Sequence, residues 1–193
     1  MISFISIEIK CLQNSWNISF LRPNLLLFSD FMPHDDNILS DSEEKTRDFL
    51  LNLSLFDSFK VDELTLLAHH MSFIQLQRGE FLFIEGDKGD FMGFVVNGVL
   101  EVLKKSATGE NVVIARLAKG SSIGEMALID KSPRSATVIS RQPTLMLTLT
   151  SKGFDKLLQK SPTTGVKIIQ KIARLLSLNM RRTSSKLADI LHI

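Results

Sequence analysis

From Met71 onward the chain is a succession of short apolar runs broken by turn residues. Phe73–Gln77, Glu80–Ile84, Phe91–Asn97, Val99–Leu103, Asn111–Leu117, Ala136–Ile139 and Thr144–Thr150 each have the length and β-branched or aromatic content of a strand. Arg78-Gly79, Gly86-Asp87-Lys88-Gly89, Asn97-Gly98 and Thr108-Gly109 separate them, and these are residue types that close tight turns. Phe73, Phe81, Phe83, Phe91 and Phe94 fall on strand positions and read as core. No helix-sized segment lies between these strands, which excludes a parallel α/β sheet. The pattern predicts a mainly β fold, an antiparallel β-roll or jelly roll with flanking helices.

The period changes at both ends of this region. Ser40, Asp41 and Ser42 offer N-caps, Glu43 and Glu44 follow in the first turn, and Phe49, Leu50 and Leu53 give an apolar side. Val61–His70 reads as a second helix with Leu64, Leu67 and Ala68 inward. After the last strand, Ser151 caps a helix through Gln159. Ser161-Pro162 then starts a long helix, 162–191, with proline at its first position. Ile169, Ile172, Leu176, Asn179, Thr183, Leu187 and Ile190 follow three-four spacing along it. That seam predicts a homodimer through the C-terminal helix; the alternative is that it packs on the chain's own barrel.

Residues 1–31 mix Phe, Ile, Leu, Asn and Ser with few charges and no sustained period, and Pro33–Glu44 turns polar. The shift divides the chain into an N-terminal extension, 1–40, and a domain, 41–193. The extension is either an over-extended start ahead of Met32 or a poorly ordered, partner-docking arm. The 193 residues suffice for one domain with a core. A formal net charge of +2 gives no sign of a surface dedicated to nucleic acid, and Cys11 is the single cysteine. No run reaches the ~20 apolar residues a membrane span needs. The expected setting is the cytoplasm.

The chemistry concentrates in Gly124-Glu125-Met126-Ala127-Leu128-Ile129-Asp130-Lys131-Ser132-Pro133-Arg134-Ser135-Ala136-Thr137-Val138. A carboxylate and a guanidinium stand a short loop apart, bracketed by small residues. Arg134 presents a planar fork of donors suited to phosphate oxygens, and it stays charged near pH 7. Glu125 can accept a hydrogen bond from a ribose 2′-hydroxyl. Gly124 lets a ligand approach the backbone, and Gly124–Leu128 has the length of one helical turn, whose first N–H groups can face a phosphate. Ser135 adds a hydroxyl, and Ala136 leaves space beside a ligand. By itself a Glu and an Arg on a loop are most often a solvated pair.

This stretch resembles the phosphate-binding cassette of cyclic-nucleotide-binding domains, with a Gly-Glu-x-Ala-Leu opening and a Pro-Arg-x-Ala-Thr-Val close. The glycine-rich hairpin that precedes the cassette in that family is matched by Phe83-Ile84-Glu85-Gly86-Asp87-Lys88-Gly89-Asp90 and Val95-Val96-Asn97-Gly98-Val99-Leu100-Glu101-Val102. The resemblance covers about residues 50–191. One departure is Ile123, where such domains often carry an aromatic residue. The resemblance implies a non-catalytic sensor with Gly124, Glu125, Met126, Ala127, Arg134, Ser135 and Ala136 at the ligand. Ala136, where some eukaryotic relatives that prefer cGMP have Thr, leans to cAMP, with cGMP the alternative. Asn179 falls where catabolite activator protein reaches adenine across its dimer; its other reading is a register-setting polar residue of the seam. Arg181 or Arg182 could stack on the base, although a solvated face is the default.

Other signals are weaker. Gly120-Ser121-Ser122-Ile123-Gly124 has the spelling of a nucleophile elbow but lacks the parallel α/β context. Adjacent His69 and His70, with His34 and His192 isolated, give poor metal geometry, so no metal and no cofactor beyond the nucleotide is expected. Arg181-Arg182-Thr183-Ser184 has the form of a basophilic kinase site. The reading is therefore a cAMP sensor, not an enzyme, that passes ligand state through its C-terminal helix to a protein partner, without DNA or membrane binding. The alternatives are a ligand-free dimeric scaffold of the same fold, or a catabolite-activator-like transcription regulator lacking its DNA-binding domain.

Overall fold

The computed structural model describes residues 36–191, so the expectations for residues 1–31 lie outside the described residues. Helix α1 (Asp36–Leu51) leads through a 3₁₀ turn (Ser54–Phe56) to α2 (Val61–Ala68). Eight strands follow: β1 (Met71–Leu76), β2 (Phe81–Phe83), β3 (Phe91–Asn97), β4 (Val99–Lys105), β5 (Asn111–Ala118), β6 (Ser122–Ile123), β7 (Thr137–Ser140) and β8 (Thr144–Thr150). The short helix α3 (Glu125–Asp130) separates β6 from β7, and α4 (Ser151–Lys160) and α5 (Pro162–Leu191) close the domain.

The strands form two four-stranded sheets, ordered β1-β8-β3-β6 and β2-β7-β4-β5, and every pairing is antiparallel. Only β4 and β5 combine sequence adjacency with pairing in the second sheet, so the chain winds back and forth between the sheets as a β-roll. One apolar cluster lies inside the roll: Phe83, Val95, Leu100, Val102, Ala136, Val138 and Met146. A larger one joins the outer face of the first sheet to the helices, through Leu50, Phe56, Leu64, Leu67, Phe94, Leu147, Phe154, Leu157, Ile168 and Ile172. Strand β8 feeds both clusters because successive side chains alternate faces: Met146 goes inward, Leu147 and Leu149 toward the helices.

The helices follow local rules with some corrections. Helix α1 begins at Asp36, so Ser40, Asp41 and Ser42 lie within it and are not its caps. Glu63 accepts from the Lys60 N–H at 2.8 Å at the start of α2, satisfying a donor that a helix start leaves free. Helix α4 is capped by Thr150, not Ser151: the Thr150 hydroxyl accepts from Gly153 N at 3.0 Å, while the Ser151 hydroxyl is buried without a partner. Phe154 and Leu157, three apart, dock α4 on the core.

Helix α5 spans the expected range, and its inward face runs through Thr164, Gly165 and Ile168, with Ile169 exposed. Ile168 and Ile172 are buried in the chain's own core with Leu176 packed beside them. Lys167 pairs with Glu63 at 2.6 Å and Lys171 with Asp57 at 2.6 Å, tying α5 to α2 and the 3₁₀ turn. Beyond Leu176 the seam leaves the core, and Asn179, Thr183 and Leu187 are exposed. The side chain of Ile190 lies outside the described residues. The phenylalanines divide too: Phe83 and Phe94 are buried, Phe91 is partly so, and Phe73 and Phe81 are exposed. β2 lies at the edge of its sheet and β1 at the edge of the other, where one side has no covering neighbour.

Candidate functional site

The cassette forms because its backbone is clamped to the glycine turn after β2. Arg134 N donates to Asp87 O at 2.8 Å and Gly86 N donates to Arg134 O at 2.9 Å. These two bonds, with Glu85 N to the Thr137 hydroxyl at 3.0 Å, fix the strand-to-loop passage that carries Arg134. Lys104 reaches the same corner from β4, pairing with Glu85 at 2.5 Å and donating to Ser135 O at 2.7 Å. Gly89 permits α3 to approach, since a Cβ there would collide with Ala127.

Arg134 points inward and is 4% exposed. Its guanidinium sits in the corner formed by two aromatic rings in edge contact, 4.1 Å from the Phe83 centroid and 4.4 Å from that of Phe91. The Nη1 atom reaches the Gly124 carbonyl only at 3.5 Å, and Nε and Nη2 are buried with no hydrogen-bond partner. Burial pulls its pKa down from the ordinary value, opposed by the negative charges of Asp90 and Asp87. Gly124 adopts a left-handed backbone, φ +80°, at the start of α3, and a Cβ there would stand 2.5 Å from Arg134 Nη1 and 2.9 Å from Phe91 O. A side chain at 124 would thus fill the space beside the guanidinium.

Glu125 opens α3 and is 8% exposed. Burial raises its pKa above the ordinary carboxylate value, with a hydrogen bond from its own backbone N–H partly opposing. It does not pair with Arg134 among the described residues, so the solvated Glu–Arg pair is not what the loop forms. Ala127 and Ala136 are buried, whereas Met126 and Ser135 are exposed. Lys131 ends α3 with φ +55°, a left-handed conformation that costs a side chain about 1 kcal/mol or more.

The structure therefore brings Gly124 and Arg134 into contact and sets Glu125 and Ala136 in the same cassette. Within the single chain, Asn179 lines a cleft of about 490 Å³ between α5, the 3₁₀ turn and the β5–β6 loop, with Ser121, Ser122, Lys171, Arg174 and Arg182. None of Gly124, Glu125 and Arg134 lines that cleft; the unpaired buried cation lies in the cassette. Ile123 packs against the cluster inside the roll and pairs with Gly93, so its departure from an aromatic residue bears on packing. Gly120–Gly124 runs through an antiparallel edge and is not a nucleophile elbow. Among the described residues no three His, Cys, Asp or Glu gather as metal ligands, and no helix is long and apolar enough to cross a membrane.

Phe83, Phe91, Asp87, Asp90 and Lys104 escape a reading of the sequence as site residues. Phe83 and Phe91 flank the glycine turn, and that position was the available signal; the stacking on Arg134 depends on pairing across 40 to 50 residues of chain.

Residues 73–161 match the family model described as "Cyclic nucleotide-binding domain". The chain is 30% identical over 123 residues to a cAMP-dependent protein kinase regulatory subunit of Mycosarcoma maydis, covering 61% of this chain and 23% of that one. It is 34% identical over 110 residues to the protein of the same name from Yarrowia lipolytica, covering 57% and 28%. The chain thus spans about a quarter of the length of these curated relatives. A cyclic nucleotide-binding domain from Methylobacillus flagellatus superposes with TM-score 0.69 at 28% identity, covering 77% of this chain and 84% of that one. The catabolite activator protein of Thermus thermophilus superposes with TM-score 0.62 at 25% identity, covering 72% and 62%. The β-roll, its cassette and these likenesses agree that residues 73–161 of this chain belong to the cyclic nucleotide-binding domain family.

Proposed function

We propose that this chain is a cAMP sensor, in which Arg134 binds the cyclic phosphate and Glu125 the ribose 2′-hydroxyl, and that it passes the ligand state to α5. The observation that carries the reading is the buried, unsatisfied guanidinium of Arg134. Leaving buried charged donors unpaired costs several kcal/mol, and a singly charged phosphodiester is the partner that relieves it. The Phe83 and Phe91 rings meet in a corner that holds the fork in place, so little ordering cost remains at binding. The exposed Ser135 hydroxyl and the Gly124 backbone border the same space; Met126 and Ala127 shape it from α3. Ala136, small and buried, favours cAMP over cGMP. No step of this reading requires catalysis, a metal or a further cofactor.

The helix α3 that carries Glu125 also touches α5, which gives a direct route from ligand to helix. Ligand binding shifts α5 only as far as its affinity differs between two helix positions. The exposed outer part of α5 favours a homodimer, because Leu187 is 55% and Met180 73% exposed on a helix that has left its own core. The downstream partner is a protein, in keeping with the regulatory subunits the chain resembles.

Thermal unfolding with cAMP, cGMP and AMP tests the reading. At about 100 times its dissociation constant a ligand stabilises by ~2.7 kcal/mol, a rise of roughly 2–4 °C for a chain of this size. A rise with cAMP, smaller with cGMP and nil with AMP, is expected. No rise with any of the three at millimolar concentration leaves the cassette a structural relic, and the dimeric scaffold becomes the better account.

A further inference from the structure

We propose that Ser184, on the outer part of α5, is the acceptor site of a basophilic, ATP-dependent protein kinase. Arg181 and Arg182 stand three and two residues before it. Guanidinium forks at those places are the feature an acidic kinase cleft can recognise by paired, charge-assisted hydrogen bonds. The sequence alone leaves this a short motif of the kind that arises by chance; the structure adds three independent observations.

First, residues 177–187 are exposed at every position. The last buried side chain of the helix among the described residues is Ile172. A kinase cleft takes its acceptor in extended form, and in the monomer unwinding a stretch that buries nothing within its own chain forfeits only helix propensity and backbone bonds. Second, the two arginines are available: neither forms an ion pair among the described residues, in contrast to Lys167 and Lys171 on the inner part of the same helix. Third, the hydroxyls divide. Thr183 donates to Asn179 O at 2.9 Å and Ser185 donates to Arg181 O at 3.1 Å. Ser184 has no hydrogen-bond partner among the described residues, so it is the one that loses no contact on reaction. It lies about 100° around the helix from Thr183, and pairing of two chains along Asn179, Thr183 and Leu187 leaves it at the margin.

In the transfer, the Ser184 oxygen attacks the γ-phosphorus of ATP. The bond to the bridging oxygen breaks, ADP leaves with the electron pair, and the hydroxyl proton passes to the kinase's carboxylate base. The product carries about −1.5 to −2 at pH 7. That cancels the net positive charge of Arg181, Arg182, Lys186 and Asp189 together, so a basic helix surface becomes neutral without any change in the cassette.

The test uses the full chain, the free catalytic subunit of an Arg-directed serine/threonine kinase and labelled Mg-ATP, with the site mapped by tandem mass spectrometry. About one phosphate per chain on Ser184 is expected. Ser184→Ala abolishes that label, Thr183→Ala leaves it unchanged, and the paired change Arg181→Ala with Arg182→Ala slows it at least tenfold. Circular dichroism confirms that each variant keeps the parent's helical signal. Absence of label, label that persists in Ser184→Ala, or an unchanged rate in the double-arginine variant overturns the proposal. Ser184→Ala and Thr183→Ala leave the cassette and both arginines untouched, so the cAMP-induced rise in unfolding temperature is the same in these two as in the parent; failure here and failure of ligand binding are therefore separable.

Discussion

Arg134 is a cation held in an aromatic corner with most of its donors idle, and that combination sets what single substitutions do. Replacing it with Lys retains the charge but removes the fork. Arg134→Lys should weaken cAMP binding by ~2 kcal/mol, about 30-fold, measured by calorimetry, with the unfolding temperature of the free protein changed little. An unchanged affinity would show that the phosphate is bound elsewhere. Glu125 gives a pH signature. Its carboxyl has a folded pKa raised above 4.5 because burial opposes ionisation. Below 4.5 it is protonated folded and unfolded alike, and its contribution to stability is intact. As pH climbs from 4.5 through the raised folded value, the unfolded chain ionises first and that contribution is lost. Glu125→Gln should therefore gain unfolding temperature relative to the parent between pH 4 and pH 7 in the absence of ligand. A difference between the two proteins that stays flat with pH would mean the carboxylate is solvated. The identities of Gly124, Glu125 and Arg134 are legible in sequence because their chemistry is local. Their burial and the aromatic stacking are not, since Phe83 and Phe91 reach Arg134 only after β2, β3 and the cassette have been brought together.

At the scale of elements, α5 is two helices in function: an inner part fixed by Ile168 and Ile172, and an outer part, 177–187, exposed at every position. Ile172→Ala should cost ~2–4 kcal/mol in urea unfolding, as a buried aliphatic truncation does. Leu187→Ala should cost less than ~0.5 kcal/mol at concentrations where the chain is monomeric. Equal costs would refute this division. Sequence periodicity predicted the length of α5 well, since Pro162 starts it and nothing breaks it. In the chain's own core Ile172 of that seam is joined by Ile168 while Ile169 is exposed, because a three-four repeat fits more than one face and the position of the first sheet selects Ile168. Similarly, β6 is two residues long and has no periodicity to read; it is a strand because Ser122 and Ile123 meet Phe94 and Gly93. Thr150 and Ser151 are both competent caps, and the direction in which β8 delivers the chain decides for Thr150.

For the whole molecule, the outer part of α5 predicts assembly. Light scattering on a size-exclusion column should find a dimer at tens of micromolar, and Leu187→Glu should return it to monomer without loss of the cAMP-induced rise in unfolding temperature. A monomer at all concentrations would assign the exposed helix to another protein.

The amino-acid sequence by itself determined the strand boundaries of β3 and β8, the antiparallel, mainly β character, the flanking helices and the cassette motif. Each of these rests on periods of two or three to four residues, on turn residues, or on a motif within one short loop. Only the tertiary structure decided that Arg134 is buried without a partner, that Phe73 and Phe81 lie outside while Phe83 and Phe91 close on the guanidinium, and that Asn179 lines a cleft away from the cassette. Those outcomes depend on which strand pairs with which across dozens of residues, and strand pairing is settled by the burial of whole faces rather than by any local preference.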